Sequence, residues 1–467
     1  MYEQHKIKIG IVPVRRQGAF GSKEAAFAQR DLFWKKLKEI TPEAVELVDI
    51  NDVTEDGIAQ ELEHIDPVVN KLKAAGVNGV FFPHANFGPE EITARIAAGL
   101  NVPVLIWGNR DNMPDPVTGN RERDTQCGIF AVTKVLQRLH VPFSYIVNVD
   151  IEDPKFTKGF GEFCGTVSVI KSFRGMKIAQ LSTRPRPFMS VMYDEADLLQ
   201  RWGIQVFPIS LPELLSSIDN MVAKNDDEFQ AAYKDVTSRF AMRDMDEMAM
   251  KKLVALKPAM TKLIKDVGAD ACASECWIFR SLIGCSSCAM FGEITDMGIP
   301  VACETDVMGA ITSVMTQAAA LGSKTTFFSD LTIRHPENDN AELLWHCGPY
   351  SYSLAKDPSS AAIAAGRAQF EIKDGPITVN RLDGVNGKYT LFTGEGKGVE
   401  GPKTSGTYVW LEVDDWEKWE EHLMFGPYIH HCTGIHGNYS RIMVEAAKYI
   451  PTLNVDAMAD YRMSLGF

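Results

Sequence analysis

The chain has 467 residues, 45% hydrophobic and 23% charged, the balance of a globular protein too long for one ordinary core, so two to four domains are expected. A net charge of −13 argues against a nucleic acid or other polyanion as partner, although one local arginine cluster is enough to bind a small anion. No apolar run approaches the ~20 residues of a bilayer span, no basic and apolar leader precedes the first strand, and an odd number of cysteines, nine, lies among apolar neighbours, so a reducing cytoplasm with free thiols and no membrane contact is expected.

Residues 1–173 alternate strand and helix signals. Strands are expected at 8–13, 45–50, 76–83, 102–107 and 142–148. Helices are expected at 22–40, with Ser22 as N-cap, and at 57–75, 89–100 and 124–139. This pattern predicts a doubly wound parallel sheet. Polar residues follow its strands: Arg15 and Arg16 after the first, His84 and Asn86 after the third, Asn109 after the fourth. They fall on one sheet edge and suit recognition of hydroxyl groups, so Arg16, His84, Asn86 and Asn109 are candidate substrate-binding residues, with solvated surface charge as the plain alternative for the arginines. The loop at 15–21 is not a dinucleotide fingerprint, and no nucleophile elbow or phosphate loop occurs.

A second α/β series occupies 174–344, with strands at 176–181 and 205–209 and helices at 194–202, 226–240 and 244–267. It closes with two apolar runs that end in carboxylates, Glu304 and Asp330, separated by a small-residue amphipathic helix at 307–321. Read as strand–helix–strand in a parallel sheet, this unit sets Glu304 beside Asp330 on the ligand-binding edge. Two adjacent carboxylates repel unless a cation or a shared proton intervenes, and oxygen ligands favour Mg²⁺ or Mn²⁺.

From 345 to 467 helix signals thin out. Short β runs at 369–373, 377–381, 389–393 and 406–413, separated by glycine turns, predict an antiparallel, barrel-like domain closed by a helix near 441–449. The overall expectation is therefore an α/β chain: two doubly wound parallel-sheet domains, then a C-terminal antiparallel β-rich domain. Six of the ten histidines lie beyond Asp330, including His346, His430 and His431. If the β-rich domain folds back over the α/β edge, one or two imidazoles join the carboxylates, leaving open positions for a substrate diol. The alternative is that His430 and His431 only pack a turn. Cys272, Cys276, Cys285 and Cys288 are spaced C-x3-C-x8-C-x2-C, with a gap short for a zinc ribbon and apolar flanks, so they read as structural thiols.

Residues 303–310 (Cys-Glu-Thr-Asp-Val-Met-Gly-Ala) and 327–331 (Phe-Phe-Ser-Asp-Leu) resemble the L-fucose isomerase and L-arabinose isomerase superfamily. Residues 345–348, the His430-His431 segment and the run at 8–16 resemble it too. The resemblance implies an aldose–ketose isomerase with Mn²⁺ (Mg²⁺ or Co²⁺ being possible substitutes), acting on a small-molecule sugar in a homo-oligomer, trimeric or hexameric, with shared active sites. By motif it carries the metal ligands to Glu304, Asp330 and His431. His346 lines up with an arabinose-type histidine and is a fourth candidate ligand, while His430 is a candidate substrate group. Ser329 stands where arabinose-type enzymes carry glutamate, so the second carboxylate follows the fucose pattern. In the implied chemistry Glu304 or Asp330 removes the C2 proton and the other manages the hydroxyl proton through a cis-enediol. Rival readings are a non-catalytic sugar-binding protein and a metal-dependent aldolase or hydrolase. The sugar could be plain, deoxy, phosphorylated or sulfonated. The resemblance also implies that a neighbour's first domain, with Arg15 and Arg16, covers the site.

Overall fold

A computed structural model describes residues 3–18 and 21–461. The chain divides into two compact units, one built on residues 3–171 and the other on 172–461.

Unit 1 is a five-stranded parallel sheet of β1 (Ile7–Ile11), β2 (Val45–Val48), β3 (Gly79–His84), β4 (Val104–Gly108) and β5 (Ser144–Tyr145), in the order β2-β1-β3-β4-β5. Helices α1 (Lys23–Ile40), α2 (Ile65–Ala75), α3 (Glu90–Leu100), α4 (Thr125–Arg138) and α5 (Pro154–Phe173) accompany it. Every residue of β3 and β4 is buried, as a parallel sheet covered on both faces requires. The Ser22 hydroxyl accepts from the Ala25 amide and starts α1 where the sequence places it. The fifth strand is shorter than expected, because Pro142 and the loop after Tyr145 leave only two residues in register with β4. Trp107 anchors the core, with its ring 4.4 Å from Phe156 and 5.6 Å from Phe33.

Unit 2 contains a second parallel sheet, of β6 (Lys177–Leu181), β7 (Gln205–Ile209), β9 (Ala271–Ser274) and β10 (Val301–Ala302), in the order β7-β6-β9-β10. A short strand, β8 (Ala241–Arg243), belongs elsewhere. Helices α6 (Glu195–Trp202), α7 (Leu211–Lys224), α8 (Asp227–Arg239), α9 (Glu247–Asp266), α10 (Phe279–Ile283) and α11 (Cys288–Asp296) connect these strands. Asp194, Asp226 and Asp246 each cap a helix through the carboxylate. Three of these helices were not expected from sequence: α7, whose first turn holds a proline, and the short α10 and α11, which lie in the cysteine-rich stretch; nor was α5 of unit 1.

The remaining strands are β11 (Thr326–Arg334), β12 (Ala341–His346), β13 (Ala362–Ala364), β14 (Arg367–Glu371), β15 (Gly375–Val385), β16 (Lys388–Val399), β17 (Thr407–Glu412), β18 (His431–His436) and β19 (Leu453–Ala457). β16, β15, β18, β11, β12 and β17 pair antiparallel in that order, and β17 pairs back to β16, closing a six-stranded barrel. Closure removes the exposed edges that an open sheet of this length would present. β19, β14, β13 and β8 extend it outside the ring. An unexpected helix, α13 (Trp416–Phe425), capped by Asp415, precedes β18, and α14 (Ser440–Ala447) follows it.

One expectation is corrected. The runs that carry Glu304 and Asp330 are not neighbours in one parallel sheet: β10 is the last strand of the parallel sheet, and β11 belongs to the barrel. The helix between them, α12 (Val307–Ala319), is not amphipathic in use either, since all thirteen residues are buried. It packs on β9 and β10 on one side and on β15, β18 and β11 on the other. A helix sandwiched between two sheets has no solvent face, so small residues and self-satisfied hydroxyls replace charge. Ser313 bonds Thr433, Thr316 accepts from Asn380, and Thr312 accepts the Leu382 amide, tying α12 to the barrel.

Candidate active site

The site forms where α12 begins. The chain leaves β10 through a tight turn in which Glu304 and Thr305 both take left-handed backbone conformations, φ 53° and 57°. Such angles are costly for residues with a Cβ and persist only where the surroundings fix them. Here the fixing group is Asp306, fully buried, whose Oδ1 accepts the Gly309 amide and caps α12. A Cβ at Gly309 would lie 2.5 Å from Phe328 Cε2 and 2.7 Å from Asp306 Oδ2, so only glycine admits this packing.

The turn points the Glu304 carboxylate inward. Its Oε1 accepts from Cys276 Sγ at 3.3 Å and from Trp277 Nε1 at 3.2 Å, both just beyond β9. Its Oε2 faces two imidazoles, His346 Nε2 at 3.6 Å and His431 Nε2 at 3.7 Å. Asp330, on β11, is the registered partner of His431 on β18. Its Oδ1 lies 3.6 Å from His431 Nε2 and 3.8 Å from His346 Nε2. The barrel therefore supplies Asp330, His346 and His431, and the parallel sheet supplies Glu304, all within unit 2. Burial alone would raise the Glu304 carboxyl, but the two imidazoles outweigh it and hold it at about 2. The Glu304 carboxylate is thus charged at neutral pH.

Glu304 Oε2, Asp330 Oδ1 and His346 Nε2 are buried without hydrogen-bond partners. Buried polar atoms are rarely left so, and three that converge mark a space for a guest. The two carboxylate oxygens, with His431 Nε2 3.7 Å and 3.6 Å from them, are a donor set that suits Mn²⁺, Mg²⁺ or Co²⁺, so the residues present fit the metal the sequence resemblance implies. On its other side Glu304 groups with two thiols, Cys276 and Cys303, whose donor atoms lie within 4.8 Å of one another and of the carboxylate. Cys303 keeps its proton because of its hydrogen bond with Cys276 and its burial. Cys272, Cys276, Cys285 and Cys288 form no common ligand cluster among the described residues.

Behind His431 lies a buried ionic string. Its Nδ1 donates to Asp306 Oδ2 at 2.9 Å, Asp306 pairs with Arg381, and Arg381 pairs with Asp383 at 2.6 Å. Arg381 is 1% exposed. An imidazole held this way presents a bare Nε2. Asp306, Arg381 and Asp383 were missed in the sequence. The available signals were an aspartate preceding an apolar helix, and opposite charges two apart on an otherwise apolar strand, which places both on one face. Phe188 and Trp277 were missed too. The Phe188 ring stacks on His431, centroids 5.9 Å apart, and meets Trp277 edge-on at 5.2 Å.

His430 is exposed, its ring 4.4 Å from that of His431, and one of its nitrogens groups with Asp330 and His431 within 4.8 Å. The other expected substrate residues lie in unit 1. Asn86 accepts the Arg16 and Gly88 amides and donates to the Arg16 carbonyl, tying two strand-end loops together. Asn109 accepts the Ile151 amide and donates to Gln29. Both amides are thus engaged by the scaffold. Arg16 is exposed, its guanidinium 4.9 Å over the Phe87 ring. His84 is fully buried; its Nδ1 donates to the Phe87 carbonyl, its Nε2 has no partner, and burial lowers it to about 4.

Comparison with known proteins agrees with this architecture. A family model for the N-terminal domain of fucose/sulfoquinovose isomerases matches residues 10–174. A sulfoquinovose isomerase of Priestia aryabhattai is 23% identical over 84% of this chain and 88% of its own length. One from Alkalicoccus urumqiensis is 21% identical over 70% and 73%, and one from Clostridium sp. (strain MSTE9) is 25% identical over 59% and 61%. Among solved structures, a galactofuranose binding protein is 12% identical with a TM-score of 0.15, over 67% of this chain and 88% of its own, a likeness too slight to bear on fold or function. Together with the Glu-x-Asp turn, the match across most of the chain supports a fucose-isomerase-like protein and a sugar aldose–ketose isomerase.

Proposed function

We propose that this isomerase works with a divalent metal, Mn²⁺ or alternatively Mg²⁺ or Co²⁺, held by Glu304, Asp330 and His431, and that it interconverts an open-chain aldose and its ketose through a cis-enediol. The observation that carries this reading is the convergence of unpartnered carboxylate oxygens with two imidazole nitrogens at 3.6–3.8 Å. A bound divalent ion supplies Lewis acidity where negative charge develops on substrate oxygens. The carboxylates do the proton work. One of Glu304 and Asp330 takes the C2 proton, and the other takes and returns the hydroxyl proton. Cys276 and Trp277 hold one oxygen of Glu304, so that only the other faces the reacting atoms. Phe188 and the half-exposed Trp277 ring give the mouth an apolar wall that limits water.

The relatives' names make a sulfonated aldose, sulfoquinovose, the first substrate to assay. The decisive experiment is turnover of that sugar and of plain, deoxy and phosphorylated aldoses by protein first stripped with chelator and then reloaded with Mn²⁺. Ketose formation that depends on the metal supports the reading. A product of changed carbon number would favour an aldolase, and binding without conversion would favour a sugar-binding protein. Arrangement as a trimer or hexamer with shared sites, and a cytoplasmic location, belong to the same proposal.

A further inference from the structure

His346 and His431 look equivalent by distance, since each Nε2 lies 3.6–3.8 Å from the same two carboxylate oxygens. Their other nitrogens are not equivalent. His431 Nδ1 faces Asp306 Oδ2 at 2.9 Å, and a carboxylate paired with a buried arginine only accepts, so Nδ1 carries a proton, and in the neutral ring that a metal would bind the lone pair is on Nε2. His346 Nδ1 faces the Cys347 amide at 2.9 Å, and a backbone N–H only donates. The lone pair is then on Nδ1 and the proton on Nε2. His346, the last residue of β12, is 2% exposed, with the Phe328 ring 5.7 Å and the Trp345 ring 6.4 Å from its own.

We infer that the two imidazoles are opposite tautomers with opposite tasks: His431 Nε2 is the nitrogen ligand, and His346 Nε2–H is a hydrogen-bond donor aimed at the space between Glu304 and Asp330, where a substrate oxygen accepts it. A nitrogen cannot hold a proton and a metal at once, so His346 lies outside the ligand set although it is as near as His431. The unpartnered state of His346 Nε2 follows: a donor that faces two acceptors beyond hydrogen-bond reach awaits an oxygen between them. The inference rests on the metal-dependent isomerase reading for the identity of the guest, but the tautomers themselves do not.

Two measurements test it. In metal-free wild-type protein, ring nitrogen NMR of ¹⁵N-histidine is expected to show the proton of His431 on Nδ1 and that of His346 on Nε2; a proton on His346 Nδ1 overturns the inference. Mn²⁺ binding by calorimetry is expected to weaken about 100-fold in His431→Gln and to stay within about threefold in His346→Gln. The latter variant is expected to lose about 100-fold in kcat, with a smaller change in KM. Loss of Mn²⁺ from His346→Gln to the same extent as from His431→Gln overturns it. If wild-type protein binds no Mn²⁺ at all, the metal reading fails, while the NMR result still decides the tautomers.

Discussion

The two parallel sheets are wound alike but use their edges differently. In each, the first strand lies between the second and third, which sets a crevice beyond the strand ends where the winding reverses. In unit 1 the loops at that edge are joined by their own amides: Asn86 bridges to Arg16, Asn109 to Ile151 and Gln29, and Asp111 accepts from Thr125. In unit 2 the corresponding edge leaves carboxylate oxygens unmatched, bends the backbone at Glu304 and Thr305 into left-handed conformations, and borrows three side chains from a barrel. Among the described residues no group of three or more metal-type ligands gathers in unit 1. In unit 1 the loop amides are engaged by the scaffold and His84 Nε2 is left buried without a partner, whereas in unit 2 the unmatched atoms are carboxylate oxygens and an imidazole nitrogen that face one another. The difference lies in which polar atoms are left without partners, not in the winding.

The sharpest way to break this comparison is to remove the unmatched atoms. Glu304→Gln and Asp330→Asn are each expected to lower turnover by at least about 1,000-fold and to weaken Mn²⁺ binding, measured by steady-state kinetics and metal analysis. Near-native turnover with normal metal content in both would remove the basis for the unit 2 site. Next in size is Asp306→Ala, which strips the cap of α12, frees His431 and strands Arg381 in the core. A loss of about 3–5 kcal/mol in denaturant unfolding is expected, whereas Asp306→Asn should keep more of the fold but still weaken Mn²⁺ about 10- to 100-fold. Equal Mn²⁺ affinity in Asp306→Asn and wild type would show that Asp306 holds the turn and not the imidazole.

Unit 1 supplies the contrasting test. Arg16→Ala is expected to raise KM for an anionic sugar about tenfold while leaving Mn²⁺ content unchanged, and activity is expected only in sedimentation fractions larger than a monomer. A fully active monomer would mean that unit 1 is scaffold alone. The smallest effect concerns Glu342, on β12 of the barrel, buried with Oε2 unpartnered. Burial pushes this carboxyl up to about 7, with Arg334 opposing and Glu420 assisting. The folded state thus holds the proton more tightly than the unfolded chain. Its contribution is full below an ordinary glutamate's range and is lost as pH rises toward 7. Glu342→Gln is expected to raise Tm by a few degrees, ~2–4 °C, at pH 8 and by nothing at pH 4. An equal gain at both pH values would show that the effect is packing and not ionisation.

Much of the local structure was legible in the chain. The β/α alternation of the first third, the Ser22 cap, the aspartate-capped helices α6, α8 and α9 and the glycine-spaced β runs after 345 are all set by side-chain periodicity and by caps that act within a few residues. Glu304, Asp330, His346 and His431 could be singled out because carboxylates and imidazoles beside apolar runs are chemically conspicuous. Sequence could not tell that β11 leaves the parallel sheet for a barrel, because an apolar run of strand type is the same run in either setting. Nor could it tell that α12 is buried on every side, or that Asp306, Arg381 and Asp383 stand in line behind one imidazole. Those features depend on residues 75 to 125 apart in sequence meeting across sheets. Local pattern fixes what each segment wants to be, whereas the pairing of distant polar atoms is settled only when burial leaves them no water to bond instead.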